Sequence, residues 1–376
     1  MTTLRVIIDE MLASSPGSVA RYTEELVREL IATAPRGCYV EAVVAASPEP
    51  EYALIQERLP GLAALHKSTL ARRELQAAWQ HGFTRLPGKG MVHATSLLAP
   101  LARHDRLHDG DQIAVTVHDV VAWTRPDALS SRTVSWNKAM LKRAQRYADA
   151  IVVPSHAVAE QLAEIADVGD RVRVISGAAS TALDVPDDAD ERADRLGLPE
   201  RYILAIGGLE PRKGIDQLVA GLPLVHGDIP LLIVGPSDDD PALGTAASDA
   251  ALDRTRVRGL GTLSDEDLAV AMDRAAVFAY PNLEEGFGMP VLEAFTLGTP
   301  VVHSDAPALM ELAVDAGVVV ERGDDAGYPA RLAEGINSVL DDPGLAERLA
   351  YSGSDRAKAF SWRSSAEKVW QLHADL

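Results

Sequence analysis

A single cysteine, Cys38, stands in a chain of 376 residues, which excludes an intramolecular disulfide framework and any cysteine-built metal site. Aromatic side chains make up only 5% of the residues. Basic residues are also scarce: 36 Lys+Arg face 55 Asp+Glu, a formal net charge of −19. That balance argues against nonspecific nucleic-acid binding, which needs a basic stripe or patch. No apolar run approaches the roughly 20 residues needed to span a bilayer. The opening MTTLR leads into a strand pattern rather than a signal peptide, so a cytoplasmic protein is expected.

What is present reads as a globular α/β chain. Hydrophobic residues at 47% and charged residues at 24% are ordinary values for a folded protein, and the length suits two domains. The charge is uneven. Residues 1–183 hold 20 basic and 20 acidic residues, whereas the rest holds 16 and 35. Short apolar runs alternate with helical patterns in the first part: LRVIID at 4–9, VEAVVAA at 40–46, MVHAT at 91–95, IAVTVH at 113–118, AIVVP at 150–154 and VRVIS at 172–176. Helices are expected from the SSPGSVARY segment at 14–22 through Leu30, over 76–85 and over 131–147. Residues 184–200 are acidic, contain two prolines and read as a linker. A second α/β unit restarts at YILAIG (202–207), with further strands at 230–235, 257–259, 276–280, 300–303 and 317–320. Two Rossmann-like, doubly wound domains facing a cleft are therefore expected, at 1–183 and 184–360.

The chain is organised around residues 280–302, YPNLEEGFGMPVLEAFTLGTPVV. The run AAVFAY at 275–280 predicts a buried strand. Gly286, Phe287 and Gly288 form a turn, Pro290 suits the first position of a helix, and Gly298 suits its C-terminal cap. Backbone N–H groups at such a turn suit an anion such as a phosphate. Glu285 and Glu293 flank the turn. Glu293 is the only charged residue of 286–302 and sits on a helix apolar on nearly every side. A buried carboxylate needs a hydrogen-bonding partner, for which a ribose diol is suited; complementing the helix dipole is the plainer alternative.

A second glycine-rich loop, GGLEPRKG at 207–214, follows the first strand of the second domain. Arg212 offers a planar fork and Lys213 a point charge, the chemistry of a diphosphate grip. The spacing is not that of a P-loop. Asp238, Asp239 and Asp240 sit among loop residues, and no metal site is expected. On the helix at 131–147, Lys138, Lys142 and Arg146 share a face, with Arg132 and Arg143 nearby. A solvated face is the ordinary outcome, and a weak peripheral contact with an anionic membrane is the alternative.

The 280–302 stretch resembles the glutamate–seven residues–glutamate motif of the family 4 retaining glycosyltransferases, which have the GT-B fold. The similarity covers nearly the whole chain. It implies that Glu285 faces the donor sugar, Glu293 holds the nucleotide ribose, and Arg212 with Lys213 grips the diphosphate. Many members carry arginine where this chain has Gly208, which leaves the grip to Arg212 and Lys213. His118, in the His118–Asp119 pair, is placed near the donor sugar in preference to His93. Gly17 and Ser18 stand where a glycine pair lets the first helix approach the donor phosphate, with serine replacing the second glycine. The strand end at 257–261 corresponds to the backbone that reads the base. The terminal helix, 361–376, is expected to pack back on the N-terminal domain. The resemblance further implies metal-independent transfer of a hexose from a nucleotide-diphosphate sugar to a glycan or lipid-linked acceptor. GDP-mannose is the favoured donor, with UDP- or dTDP-sugars as alternatives. A UDP-sugar epimerase on a similar scaffold and a catalytically silent partner subunit are the rival readings.

Overall fold

In the computed structural model, which describes residues 2–13, 17–84, 90–324 and 326–376, the apolar runs assemble into two separate parallel sheets. The SSPGSVARY segment at Ser14, Ser15 and Pro16, and the helix end expected at Arg85, lie outside the described residues. The first sheet contains β1 (Thr2–Ile7), β2 (Cys38–Ala46), β3 (Ala64–Ala71), β4 (Met91–Ala94), β5 (Gln112–Thr116), β6 (Ala150–Val153) and β7 (Val172–Val174), in the order β3-β2-β1-β4-β5-β6-β7. The second contains β8 (Ile203–Ile206), β9 (Leu231–Val234), β10 (Val257–Gly261), β11 (Val277–Tyr280), β12 (Val301–Ser304) and β13 (Val318–Val320), in the order β10-β9-β8-β11-β12-β13. All of the residues of β6, β9, β11 and β12 are buried. Helices covering both faces of a parallel sheet produce that pattern, which is why these strands read as unbroken apolar runs.

Two elements missed by the sequence reading have identifiable causes. β3 is the edge of its sheet and alternates half-buried with exposed positions over its second half, so ALHKSTLA carries no apolar run. The acidic stretch expected as a linker contains a helix, Ala189–Leu196, ending at the left-handed Gly197. It buries only Ala193 and is held instead by charge. Arg192 and Arg195 both reach Asp267, at 2.8 and 2.6 Å. Arg258 of β10 donates to the helix-end carbonyls of Leu196 and Gly197 at 3.1 and 2.8 Å.

The chain divides into residues 1–177 with 361–376, and residues 178–360, so the division falls a few residues before the end of the first domain as expected from the sequence. Within the first unit the terminal helix, Trp362–Asp375, lies on the Ser18–Ala32 helix. Trp370 Nε1 donates to Leu30 O at 3.2 Å, and Ser365 Oγ to Ser176 O at 2.6 Å. Lower on the same helix, His373 Nδ1 stands 3.0 Å from Gln112 Oε1, and its Nε2 stands 3.4 Å from His93 Nδ1.

This pair makes a pH prediction. Burial pushes His93 down to about 4, and burial, followed by the neighbouring His93, holds His373 well below the usual value. Both are neutral in the fold but take protons when unfolded, so the unfolded state binds more protons below the ordinary pKa of about 6.5. The stability they permit is complete above that pH and is lost as pH falls towards about 4. Urea titrations from pH 7 to pH 4 should show the first unit weakening, and His373→Gln should flatten the dependence. An unchanged slope in the variant would contradict this.

Candidate active site

Each sheet reverses its strand order once, between β1 and β4 in the first and between β8 and β11 in the second. Ligands of doubly wound sheets bind beyond the carboxyl ends of the strands at such a reversal. The two loops singled out in the second half emerge there: 207–214 follows β8 and 281–288 follows β11.

The first loop closes in a short turn, Pro211–Lys213, capped by Gly214 at φ 62°. A Cβ on Gly214 would stand 2.4 Å from Pro281 O, so glycine is required both for the left-handed backbone and for the close approach of the two loops. Leu283 N donates to Arg212 O at 2.8 Å, joining them again. The second loop is pinned from other sides. Tyr328 Oη donates to Pro281 O at 2.9 Å, Ser304 Oγ to Asn282 O at 2.5 Å, and Arg322 Nη1 to Leu283 O at 2.5 Å. Asp305 holds Arg322 Nε at 2.7 Å. A carboxylate on such a loop is held by its surroundings before any ligand arrives.

That carboxylate is Glu285. Its Oε2 accepts hydrogen bonds from Tyr280 Oη and Asn282 Nδ2, both at 2.7 Å, and lies 3.8 Å from Lys213 Nζ. Among the described residues its Oε1 accepts only from Gly286 N, at 3.1 Å. Burial pushes this carboxyl up, but the Lys213 charge and the three hydrogen bonds together outweigh it and hold it below the usual carboxylate range. Oε2 is thus fully engaged, and Oε1 keeps capacity for a further donor such as a sugar hydroxyl. Burial, the Glu285 charge and its hydrogen bond raise the Tyr280 phenol well above its ordinary value, so Tyr280 acts as a donor.

Gly288, at φ 101°, starts the Met289–Thr296 helix, so Pro290 takes the second helical position rather than the first. Among the described residues the N–H groups of Phe287 and Gly288 have no acceptor. The helix closes with Gly298 N bonded to Phe295 O and Thr299 N to Ala294 O, a Schellman motif with Gly298 at φ 75°. Glu293 is 1% exposed, and its charge acts on Tyr280. Lys213 lies beside Glu285, and Arg212, half-buried on the same turn, also acts on Tyr280. The second unit therefore brings together Arg212, Lys213, Glu285 and the 286–288 turn, with Glu293 behind them. Gly208 lies against the Glu210 carboxylate, where a Cβ would stand 2.4 Å from Oε2.

His118 and the Gly17–Ser18 pair belong to the first unit. His118 lies at 2.7 Å from Thr95 O and meets the Tyr22 ring edge-on at 4.7 Å. The carbonyl requires Nε2 to carry the proton, which leaves Nδ1 as an acceptor. Burial holds the imidazole below its usual pKa, against the Thr95 hydrogen bond and the Asp119 charge, so it is neutral at pH 7. His93, the rival, is fully buried under the terminal helix. Gly17 caps the Ser18–Ala32 helix, and both residues are exposed.

The three aspartates after β9 have structural partners. Asp240 caps the Pro241–Asp249 helix, Asp239 accepts from Ser237 Oγ, and Asp238 accepts from Gly259 N. Gly259 itself admits no side chain, since a Cβ would stand 2.5 Å from both Pro236 O and Ser237 O.

Tyr280 and Asn282 were not singled out from the sequence. Their signals are a tyrosine ending an apolar strand and a fully buried asparagine three residues before a glutamate. Tyr280→Phe removes one bond to the ionised form, so the Glu285 pKa should rise and the acid limb of donor turnover should move to higher pH. Asn282→Asp should do the same more strongly by adding a like charge. A pH–rate profile checks both, and an unmoved acid limb would show that Glu285 does not titrate in the reaction.

The resemblance of 280–302 is matched along the chain. The family model described as Glycosyltransferase Family 4 matches residues 19–183, and Glycosyl transferases group 1 matches residues 187–356. The chain belongs to the family 4 glycosyltransferases. Its similarity to the serotype-specific mannosyltransferase WbdA of Escherichia coli is 30% identity over 236 residues, 58% of this chain and 28% of that protein. To the phosphatidyl-myo-inositol mannosyltransferase of Mycobacterium tuberculosis it is 34% over 208 residues, 52% of this chain and 54% of that one. The matched segments thus span less than two thirds of either relative. Among solved structures, sucrose-phosphate synthase from Thermosynechococcus elongatus superposes with a TM-score of 0.76 at 22% identity, covering 100% of this chain and 99% of that one. Anabaena HepE, solved with UDP and glucose, gives 0.76 at 16%, covering 100% of both. These likenesses establish the GT-B fold of this glycosyltransferase. Among its described residues no helix is long and apolar enough to cross a membrane.

Proposed function

We propose that this glycosyltransferase moves a hexose, mannose in the favoured case, from a nucleotide-diphosphate sugar to a hydroxyl of a glycan or glycolipid acceptor, with retention and without a metal. The observation that carries the reading is the cluster at the β8/β11 reversal: Arg212 and Lys213 on one loop, and Glu285 with the 286–288 turn on the other. Names of relatives support mannose, and GDP-mannose is accordingly the proposed donor. UDP- and dTDP-sugars are the alternatives for the same grip.

In this mechanism the bond from the anomeric carbon to the diphosphate oxygen breaks as the acceptor oxygen bonds to the same face, and the acceptor proton passes to the departing phosphate oxygen. Arg212, Lys213 and the turn amides of Phe287 and Gly288 offset the charge that grows on the diphosphate. This is preorganised electrostatic stabilisation, which needs no reorganisation during reaction. Glu285 fixes the sugar through its hydroxyls, and Glu293 is assigned the ribose. His118 Nδ1 is assigned to a sugar hydroxyl. Lys138, Lys142 and Arg146 lie on the Ser131–Tyr147 helix, where a weak contact with anionic membrane belongs to the same proposal.

Incubation with GDP-mannose and a glycolipid acceptor pool tests the reaction class. The expected result is acceptor-dependent GDP release with an α-configured product from an α-configured donor. An altered sugar nucleotide formed without acceptor would instead identify an epimerase, and nucleotide binding without turnover of any donor would identify a silent subunit.

A further inference from the structure

The first unit has a groove of about 360 Å³ between the Arg72–His81 and Ser131–Tyr147 helices. One wall presents Arg73, Gln76 and Gln80, spaced by three and four so that they share a helix face. The other presents Arg132 and Trp136, one turn apart, with Asn137. The volume falls within the range of small-molecule sites, about 300–1,000 Å³.

Three features set this groove apart from ordinary surface. Neither Arg73 nor Arg132 is in an ion pair among the described residues, although the chain carries 55 acidic residues. Arg72, next to Arg73, is bound by Asp9 and Glu10 at 2.8 and 2.7 Å, so the free guanidinium is a feature of the groove side of this helix. Trp136 packs partly on the core, and its indole Nε1 is buried with no hydrogen-bond partner among the described residues. Such a donor left unmet has a real free-energy cost, about 1–3 kcal/mol. The side-chain amides of Gln76 and Gln80 likewise have no partner among the described residues.

We propose that this groove binds a carboxylated saccharide segment. Planar amides and guanidinium groups hydrogen-bond in pairs and match the vicinal hydroxyls of a pyranose. The two unpaired arginines supply a bidentate grip for a carboxylate. The half-buried Trp136 ring adds an apolar face to the groove wall. That the segment is part of the acceptor glycan rests on the transferase reading above; the binding itself does not.

Calorimetry on the full chain with tetragalacturonate, maltotetraose and inorganic phosphate tests the proposal. Saturable binding of tetragalacturonate is expected, at least tenfold tighter than maltotetraose and weakening as salt rises. Arg73→Ala with Arg132→Ala should reduce it at least tenfold, and Trp136→Ala several-fold. In each variant, stabilisation by the cognate nucleotide serves as the folding control, since the substitutions lie in the other unit. No binding of tetragalacturonate, equal binding by the double arginine variant, equal binding of maltotetraose, or equal binding of phosphate alone would each overturn the proposal. Tetragalacturonate binding in a protein that binds no nucleotide would sustain the groove and defeat the transferase reading, and the reverse pattern would do the opposite.

Discussion

Glu285→Ala is expected to reduce sugar transfer on the order of 10²–10³-fold, the cost typical of removing one preorganised polar group from a reacting centre. Nucleoside diphosphate affinity should stay within a few-fold of wild type. The separation follows from the geometry. Glu285 faces Tyr280, Asn282 and Lys213, whereas the assigned diphosphate contacts are Arg212, Lys213 and the turn amides. Removing the carboxylate leaves Lys213 without its partner at 3.8 Å, which should strengthen its attraction to an anion rather than weaken it. Single-turnover donor consumption alongside nucleotide titration reads both quantities. Transfer retained in the variant would remove Glu285 from the donor-sugar role, and transfer lost together with nucleotide binding would make it a structural residue of the loop.

The second large effect concerns stability. Gly214→Ala places a methyl group 2.4 Å from Pro281 O on a backbone at φ 62°. The left-handed conformation alone costs a non-glycine residue about 1 kcal/mol, and the contact forces one of the two loops to move. Together these are expected to cost about 2–4 kcal/mol, within the range of special-backbone substitutions. For a unit of this size that corresponds to a melting temperature lower by roughly 5–10 °C. The same shift moves Arg212 and Lys213 away from the amides of the 286–288 turn, so nucleotide affinity should fall with it. Differential scanning calorimetry checks the first, and an unchanged melting temperature would show that the two loops are not held together through this approach.

The sequence disclosed the second unit better than the first. The 280–302 stretch combines a buried strand, a glycine turn, a short apolar helix and a glycine cap. All four are local signals, so the structure places each within a residue or so of its expectation. The Gly207–Gly214 loop was legible for the same reason. What could not be read were features made by distant partners. β3 is an exposed edge whose pairing with β2 supplies the structure that its own pattern lacks. The Ala189–Leu196 helix is held by Asp267 and Arg258, residues far along the chain. The clamp on Glu285 arises because the backbone folds Tyr280 and Asn282 onto one oxygen, a geometry that has no periodicity. The setting of the half-buried Trp136 beside Arg73 and Arg132 is likewise a product of two helices meeting.

The cluster of Arg212, Lys213, Glu285 and the 286–288 turn is proposed above as a nucleotide-diphosphate site. Titration calorimetry with GDP, UDP and dTDP, on wild type and on Arg212→Ala with Lys213→Ala, tests it most directly. Saturable binding of one of them, GDP first, is expected, with a loss of at least 100-fold in the double variant while the fold stays intact by circular dichroism. Binding of no nucleotide by the wild type, or equal binding by the double variant, would contradict it.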